Sequence, residues 1–328
     1  MRWGMLGHDW AIDLLKGHIT SDTLRHAYLF TGPKGVGKRT LAIRFAQALN
    51  CEAPKEPAEP CLQCHTCRQI GQEQYADLVI VQSEVARRDV RVDQVRELSR
   101  TLALAPYQSQ YRVAILRNFE EANPNASNAL LKTLEEPPPQ VILIVTAQSG
   151  DNLLPTVVSR CEVLRLRQVP TSMISEHLQK QWQVDAQQAT LLAHLSAGCP
   201  GQAVTLLQNP HTLAQRTAWL DEHLSLLAGT HVSRFAFVDK IYRTKEKTYI
   251  IEMIQVWLSL WRDMLLQACE GSATLVNLDK AEEIKQLAAQ YKVDTCQQAV
   301  SSLMRTLDLL DQNINLRLAL ENLMLDLP

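Results

Sequence analysis

Two stretches of this chain carry residues at spacings suited to chemistry. The first is Gly32-Pro33-Lys34-Gly35-Val36-Gly37-Lys38. Glycines bracket a four-residue gap and a lysine follows. Such a loop turns its backbone N–H groups, and the helix dipole behind them, toward a phosphate. A loop that hydrolyses a nucleotide needs Ser or Thr next, to ligate magnesium. Here Arg39 stands there. Thr40 comes one residue late, and one residue along a helix turns a side chain by roughly 100°, away from the phosphates. Gly32, Gly35, Gly37 and Lys38 therefore form a degenerate nucleotide loop. It is read either as a site for ATP or ADP without catalytic magnesium or as a loop kept for its shape. A second loss lies further on. The apolar run Val113-Ala114-Ile115-Leu116 ends in Arg117-Asn118, where an ATPase places acidic residues for magnesium and the attacking water. Glu120 and Glu121 follow too late and read as solvated carboxylates at a helix start.

The second stretch is Cys51-x9-Cys61-x2-Cys64-x2-Cys67. Four thiolates suit tetrahedral zinc, and four protein ligands leave no open position, so the expected role is structural. A compact hairpin would present Cys61, Cys64 and Cys67, and Cys51 at the end of the preceding helix would close the shell. His65 competes poorly, because its neighbour Cys64 already ligates. The alternative is a set of free surface thiols. Cys161, Cys199, Cys269 and Cys296 sit among apolar neighbours and read as buried thiols.

Positioning these residues requires a framework. Ala27–Thr31, Leu78–Val81, Arg112–Leu116, Val141–Thr146 and Val163–Leu166 are short apolar runs of strand type. Helical patterns lie between them at Arg39–Leu49, Val92–Leu104 and Ala126–Leu134. This alternation predicts an α/β fold with a parallel sheet covered on both faces, and ligands at the carboxyl ends of its strands. After about Arg167 strand signals stop. Thr171–Leu207 reads as a small helical unit broken at Gly198-Cys199-Pro200-Gly201, and the rest is helical. Trp257 and Trp261 share a helix face as core packing, and a last helix is expected around Leu303–Leu325. The resulting division is 1–167 for the sheet domain with a cysteine module at 51–67, 168–208 for a helical lid, and 209–328 for an all-α domain.

Composition sets bounds on function. The 328 residues carry a net charge of -2, so no global basic field points to nucleic acid. Neither a secretory leader nor a membrane-spanning stretch is read, and the expected location is cytoplasmic. Arg87, Arg88 and Arg91 read as a solvated charge run, and Lys132 and Glu135 as an i, i+3 pair.

A resemblance now attaches to these motifs. Arg25-His26-Ala27-Tyr28-Leu29-Phe30, the glycine loop, the four cysteines, Asn128-Ala129-Leu130-Leu131-Lys132-Thr133-Leu134-Glu135-Glu136-Pro137-Pro138 and Ser159-Arg160-Cys161 occur in this order. In this the chain resembles the bacterial clamp-loader subunits, AAA+ proteins of the DNA polymerase III holoenzyme. The likeness is close over the first 200 residues. It is looser at the helical end, where Asn315-Leu316-Arg317-Leu318-Ala319-Leu320-Glu321 looks like a terminal collar helix. The family's gamma/tau motor has the magnesium hydroxyl, the acidic pair and a lid arginine, and its tau form has a long extra tail. Here Arg39, Arg117 and Gly201 stand at the first three places, and the tau-type tail is not expected.

The resemblance thus implies the family's non-hydrolysing stator. It also implies that Arg160 acts in trans as an arginine finger, on a phosphate held by a neighbouring subunit. Residues 209–328 would form a collar joining gamma/tau and delta subunits in a hetero-pentamer that meets the sliding clamp and primer-template DNA. Two rivals stand beside this reading: an ATP-hydrolysing motor subunit, and a zinc-stabilised DNA-binding module.

Overall fold

The short apolar runs all form strands in a computed structural model that describes residues 2–83, 90–269, 271, 274–312 and 314–328. The chain divides into two compact units. One comprises Met1–His177 with Gly198–Gln202, and the other Leu178–Ala197 with Ala203–Pro328.

The first unit opens with α1 (Asp9–Thr20), β1 (Ala27–Thr31), α2 (Lys38–Asn50) and α3 (His65–Gly71). It continues through β2 (Leu78–Val81), α4 (Val92–Leu102), β3 (Arg112–Leu116), α5 (Pro124–Glu135), β4 (Val141–Ala147), α6 (Pro155–Val158) and β5 (Glu162–Arg165). The strands form one parallel sheet in the order β2-β3-β4-β1-β5. β1 is buried at every position. Its side chains alternate between the two faces, as strand geometry requires. Tyr28 and Phe30 join the core with Phe45 and Leu41 of α2, whereas Ala27 and Leu29 join the core with Leu98 of α4 and Leu130 of α5. The Tyr28 and Phe45 rings meet edge to face at 5.0 Å, a geometry that adds to their buried area.

Local signals fix the elements around the site. α5 starts where Asn123 Oδ1 accepts from the Ala126 N–H at 2.8 Å, with Pro124 at the first helical position. It ends before Pro137-Pro138-Pro139, which cannot continue a helix. The strand limits differ by one residue from those expected: β4 runs to Ala147, and β5 spans Glu162–Arg165. α4 stops at Leu102 rather than Leu104.

The chain then forms α7 (Thr171–Trp182), α8 (Ala186–Leu195), α9 (Pro200–Gln208), α10 (Pro210–Leu227), α11 (His231–Thr244), α12 (Lys247–Ala268), α13 (Ala281–Gln290), α14 (Val293–Asp311) and α15 (Leu316–Asp326). The expected last helix is two. Asn315 caps α15 by accepting from the Arg317 and Leu318 N–H groups, so α14 ends before it. In the second unit Trp257 and Trp261 are fully buried, as their spacing suggested. Their indole N–H groups donate to Trp219 O at 2.8 Å and to His223 Nε2 at 2.7 Å. Burial of His223 pushes its pKa down to about 3, with Arg234 adding to the effect, so the ring is neutral. Arg234 donates to Leu226 O at 3.0 Å, Met324 O at 3.2 Å and Leu327 O at 2.7 Å, satisfying carbonyls at two helix ends. Among the described residues no helix is long and apolar enough to cross a membrane.

Candidate functional site

The glycine loop lies between β1 and α2, as the pattern required. Gly32, Gly35 and Gly37 adopt φ of 145°, 82° and 120°, conformations that suit residues without a Cβ. The Lys38 ammonium does not project outward. It is buried, donating to Gly32 O and, at 3.0 Å, to Pro33 O. Burial lowers its pKa, while Glu120 and Cys199 act in the opposite direction. The loop is further held from the first turn of α9, where the Gly201 N–H donates to Gly35 O at 2.8 Å. A Cβ on Gly201 would lie 2.9 Å from that oxygen. The residue expected as an arginine in a motor thus marks a direct backbone contact here.

The two positions that lost magnesium ligands prove to be joined. Arg39 Nε donates to Glu73 Oε1 at 2.9 Å, and Arg117 Nη2 donates to the same oxygen. Arg117 Nη1 also reaches Gln82 Oε1 at 3.1 Å. Burial opposes ionisation of Glu73, but Arg117 and Arg39 outweigh it and lower its pKa. One carboxylate between two guanidiniums thus links the start of α2 to the end of β3. A cluster of this sign repels a metal cation rather than ligating it. Glu120, read as a solvated carboxylate, is turned inward instead. Its Oε1 accepts from the Gln148 N–H at 3.2 Å, and its Oε2 is buried with no partner.

Cys51, Cys61, Cys64 and Cys67 come together, with all four sulfurs within 4.8 Å of one another. Cys61 and Cys67 Sγ stand 4.0 Å apart. Zn–S bonds of about 2.3 Å at a tetrahedral centre put sulfurs about 3.8 Å apart, so the donor set fits a four-thiolate metal site. The presenting element is not a hairpin. A loop carries Cys61, and Cys64 caps α3, accepting from the Cys67 N–H at 3.3 Å. The Gln63 and Cys64 N–H groups point at Cys61 Sγ and lower its pKa to about 6. Burial raises the pKa of Cys51 and of Cys67. His65 is exposed on α3 and stands outside the cluster. Of the scattered cysteines, Cys199 and Cys296 are buried, but Cys269 is exposed where α12 ends.

Arg160 lies between α6 and β5, at the amino ends of the strands and so on the side of the sheet opposite the glycine loop. Its Nη1 donates to Thr156 O at 2.9 Å and its Nη2 to Glu135 Oε1 at 2.8 Å. Glu135 was expected to pair with Lys132; it takes Arg160 instead, and no Lys132–Glu135 ion pair occurs among the described residues. A cleft of about 730 Å³ is bounded by Gly32 of the loop and by Ser159 and Arg165, and Arg160 does not line it. Arg91 is exposed, its N–H donating to Gln94 Oε1 at 2.9 Å. Arg87 and Arg88 lie outside the described residues.

Sequence reasoning missed Glu73 and the contact of Gly201 with Gly35. Glu73 lies 34 residues from Arg39 and 44 from Arg117. No spacing rule connects residues so far apart.

Comparison with known families gives two matches, both described as DNA polymerase III, delta subunit. The first covers residues 7–170 and the second, the C-terminal part of that subunit, covers 210–328. The chain belongs to the DNA polymerase III delta-subunit family. A DNA polymerase III subunit delta' of Bacillus subtilis is 28% identical over 314 residues, 95% of this chain and 93% of that one. The Pseudomonas aeruginosa subunit delta' is 39% identical over 136 residues, 42% of this chain and 41% of that one. The tau/gamma subunit of Haemophilus influenzae is 34% identical over 174 residues, 53% of this chain but only 25% of its own length. Among solved structures, a gamma subunit-related protein of Thermotoga maritima matches with TM-score 0.52 and 17% identity, over 96% of this chain and 97% of that one. That likeness establishes the fold. With membership in the delta-subunit family, the clamp-loader assignment read from the motifs stands, on the delta prime side.

Proposed function

We propose that the chain is the non-hydrolysing member of its clamp loader, and that it assists ATP hydrolysis in a neighbouring subunit instead of performing it. The observation that carries this reading is the sharing of Glu73 by Arg39 and Arg117, which puts positive charge where magnesium would be held. Lys38 donates to carbonyls of its own loop, and the Gly201 contact further ties that loop down. ATP or ADP, if taken up at Gly32, Gly35, Gly37 and Lys38, would sit there without catalytic magnesium. Arg160 is the finger in this proposal. A guanidinium supplied from a neighbour neutralises charge that develops on the transferring phosphoryl group. Cys51, Cys61, Cys64 and Cys67 hold a structural zinc. Residues 1–167, 168–208 and 209–328 act as sheet domain, lid and collar. The collar joins gamma/tau and delta subunits in a hetero-pentamer that engages the sliding clamp and primer-template DNA.

The test uses the purified chain with magnesium and ATP, first alone and then assembled with its loader subunits. The expected result is no turnover alone, and turnover in the assembly that falls with Arg160→Ala. Turnover by the lone chain that disappears with Lys38→Ala would replace this reading with the motor. The inward-turned Glu120, whose charge acts on Lys38, is the observation that keeps that rival in view.

A further inference from the structure

Arg160 is held in a particular way, and the holder is a residue of the Leu-Glu-Glu-Pro-Pro run to which no role has been given. Glu135 is the last residue of α5. A carboxylate at a helix C-terminus faces the negative end of the helix dipole, an unfavourable place unless a cation answers it. Arg160 supplies that cation from 25 residues away. The guanidinium is gripped at two points, by Glu135 Oε1 on Nη2 and by Thr156 O on Nη1. These bonds use two of its five N–H donors. The side chain of Arg160 remains 35% exposed and that of Glu135 51%. The prolines at 137–139 end α5 right after Glu135, so the carboxylate is presented from a fixed helix end.

We propose that Glu135 is a positioning residue for Arg160: it orients the guanidinium from behind and leaves its free donors for a phosphate brought by the neighbouring subunit. This rests on the trans-acting reading of Arg160. An exposed carboxylate–guanidinium pair is weak, so it biases the orientation of the arginine without neutralising its use.

The experiment measures steady-state ATPase of the assembled loader carrying Glu135→Ala, Glu135→Gln, Arg160→Ala, or Glu135→Ala with Arg160→Ala. Assembly is checked by size-exclusion chromatography. Glu135→Ala is expected to lower kcat by about two- to five-fold with KM unchanged. Glu135→Gln, which keeps an acceptor oxygen, should recover part of the loss. In the Arg160→Ala background Glu135→Ala should change nothing further, because two residues acting as one unit are not additive. If Arg160→Ala slows the assembly but Glu135→Ala is as fast as the unmodified protein or faster, the positioning role is overturned and the finger stands. A double variant slower than Arg160→Ala alone would also overturn it. An unchanged rate with Arg160→Ala removes the trans-acting reading itself, and the proposal with it.

Discussion

Two arginine–carboxylate groupings in the first unit differ in one respect that decides their use. At the glycine loop one carboxylate, Glu73, is shared by Arg39 and Arg117, and the Arg117 side chain is only 12% exposed. Beyond α6 one carboxylate, Glu135, holds one arginine, and both stay open to solvent. The first grouping is closed at Arg117, which has little surface left for a ligand, while Arg39 stays 67% exposed and the cluster keeps one unanswered positive charge. The second leaves donors free. In the proposed reading the same functional groups make a strut in one place and a reagent in the other. The difference lies in burial and in how many partners each guanidinium already has.

Four experiments would break or sharpen this contrast, and the largest effect is expected from the metal. α3 begins at the cysteine cluster and leads within two residues to Glu73, so Cys64→Ser tests whether the closed grouping depends on the cluster. The variant should lose about one zinc per chain and stability on the order of 5 kcal/mol, with Arg160 unaffected. Full metal content and unchanged thermal unfolding would contradict the four-thiolate site. Next comes Arg160→Ala, which should reduce hydrolysis at the one site it serves by about 10³-fold, worth about 4 kcal/mol, while unfolding of the isolated chain stays unchanged. Glu73→Ala should behave the opposite way. It should cost about 2 kcal/mol of stability, because Arg39 and Arg117 are left facing each other, and it should generate no ATPase in the lone chain. A stable Glu73→Ala variant that hydrolyses ATP would erase the distinction between the two groupings.

The last test, small only because it spans a narrow pH window, separates both groupings from the second unit. His223 has a folded pKa of about 3, below its unfolded value of 6.5. Its contribution is therefore complete above pH 6.5 and is lost as pH falls toward 3, at about 1.4 kcal/mol per pH unit. Glu73 is also depressed, from 4.5, so its contribution is present above pH 4.5 and is lost only below it. As pH falls from 6.5 to 5 the stability read from equilibrium unfolding should drop with a slope that His223→Gln removes, and Glu73→Ala should leave that slope as it was. A slope that survives His223→Gln would assign the acid sensitivity to another group.

Much of this was legible in the chain because it depends on neighbours in sequence. All five strands follow from short apolar runs, and the alternation of strand and helix gave a parallel sheet. The loop between β1 and α2, the tight spacing of Cys61, Cys64 and Cys67, and the buried face of Trp257 and Trp261 are local patterns of the same kind. Where an element's end depends on a cap, as at Asn315, local reading still missed it, and one expected helix became two.

The sequence by itself determined which groups are present at each site and which are missing: no hydroxyl at 39, no carboxylate at 117, four thiols close along the chain, and an arginine between Ser159 and Cys161. Only the tertiary structure decided who meets whom. Glu73 reaches Arg39 across 34 residues, Glu135 turns from Lys132 to Arg160, and Gly201 donates to Gly35. The reason is physical. Side-chain periodicity is set by backbone geometry over a few residues, whereas an ion pair forms wherever packing of the sheet and its helices brings two charges within reach of a hydrogen bond.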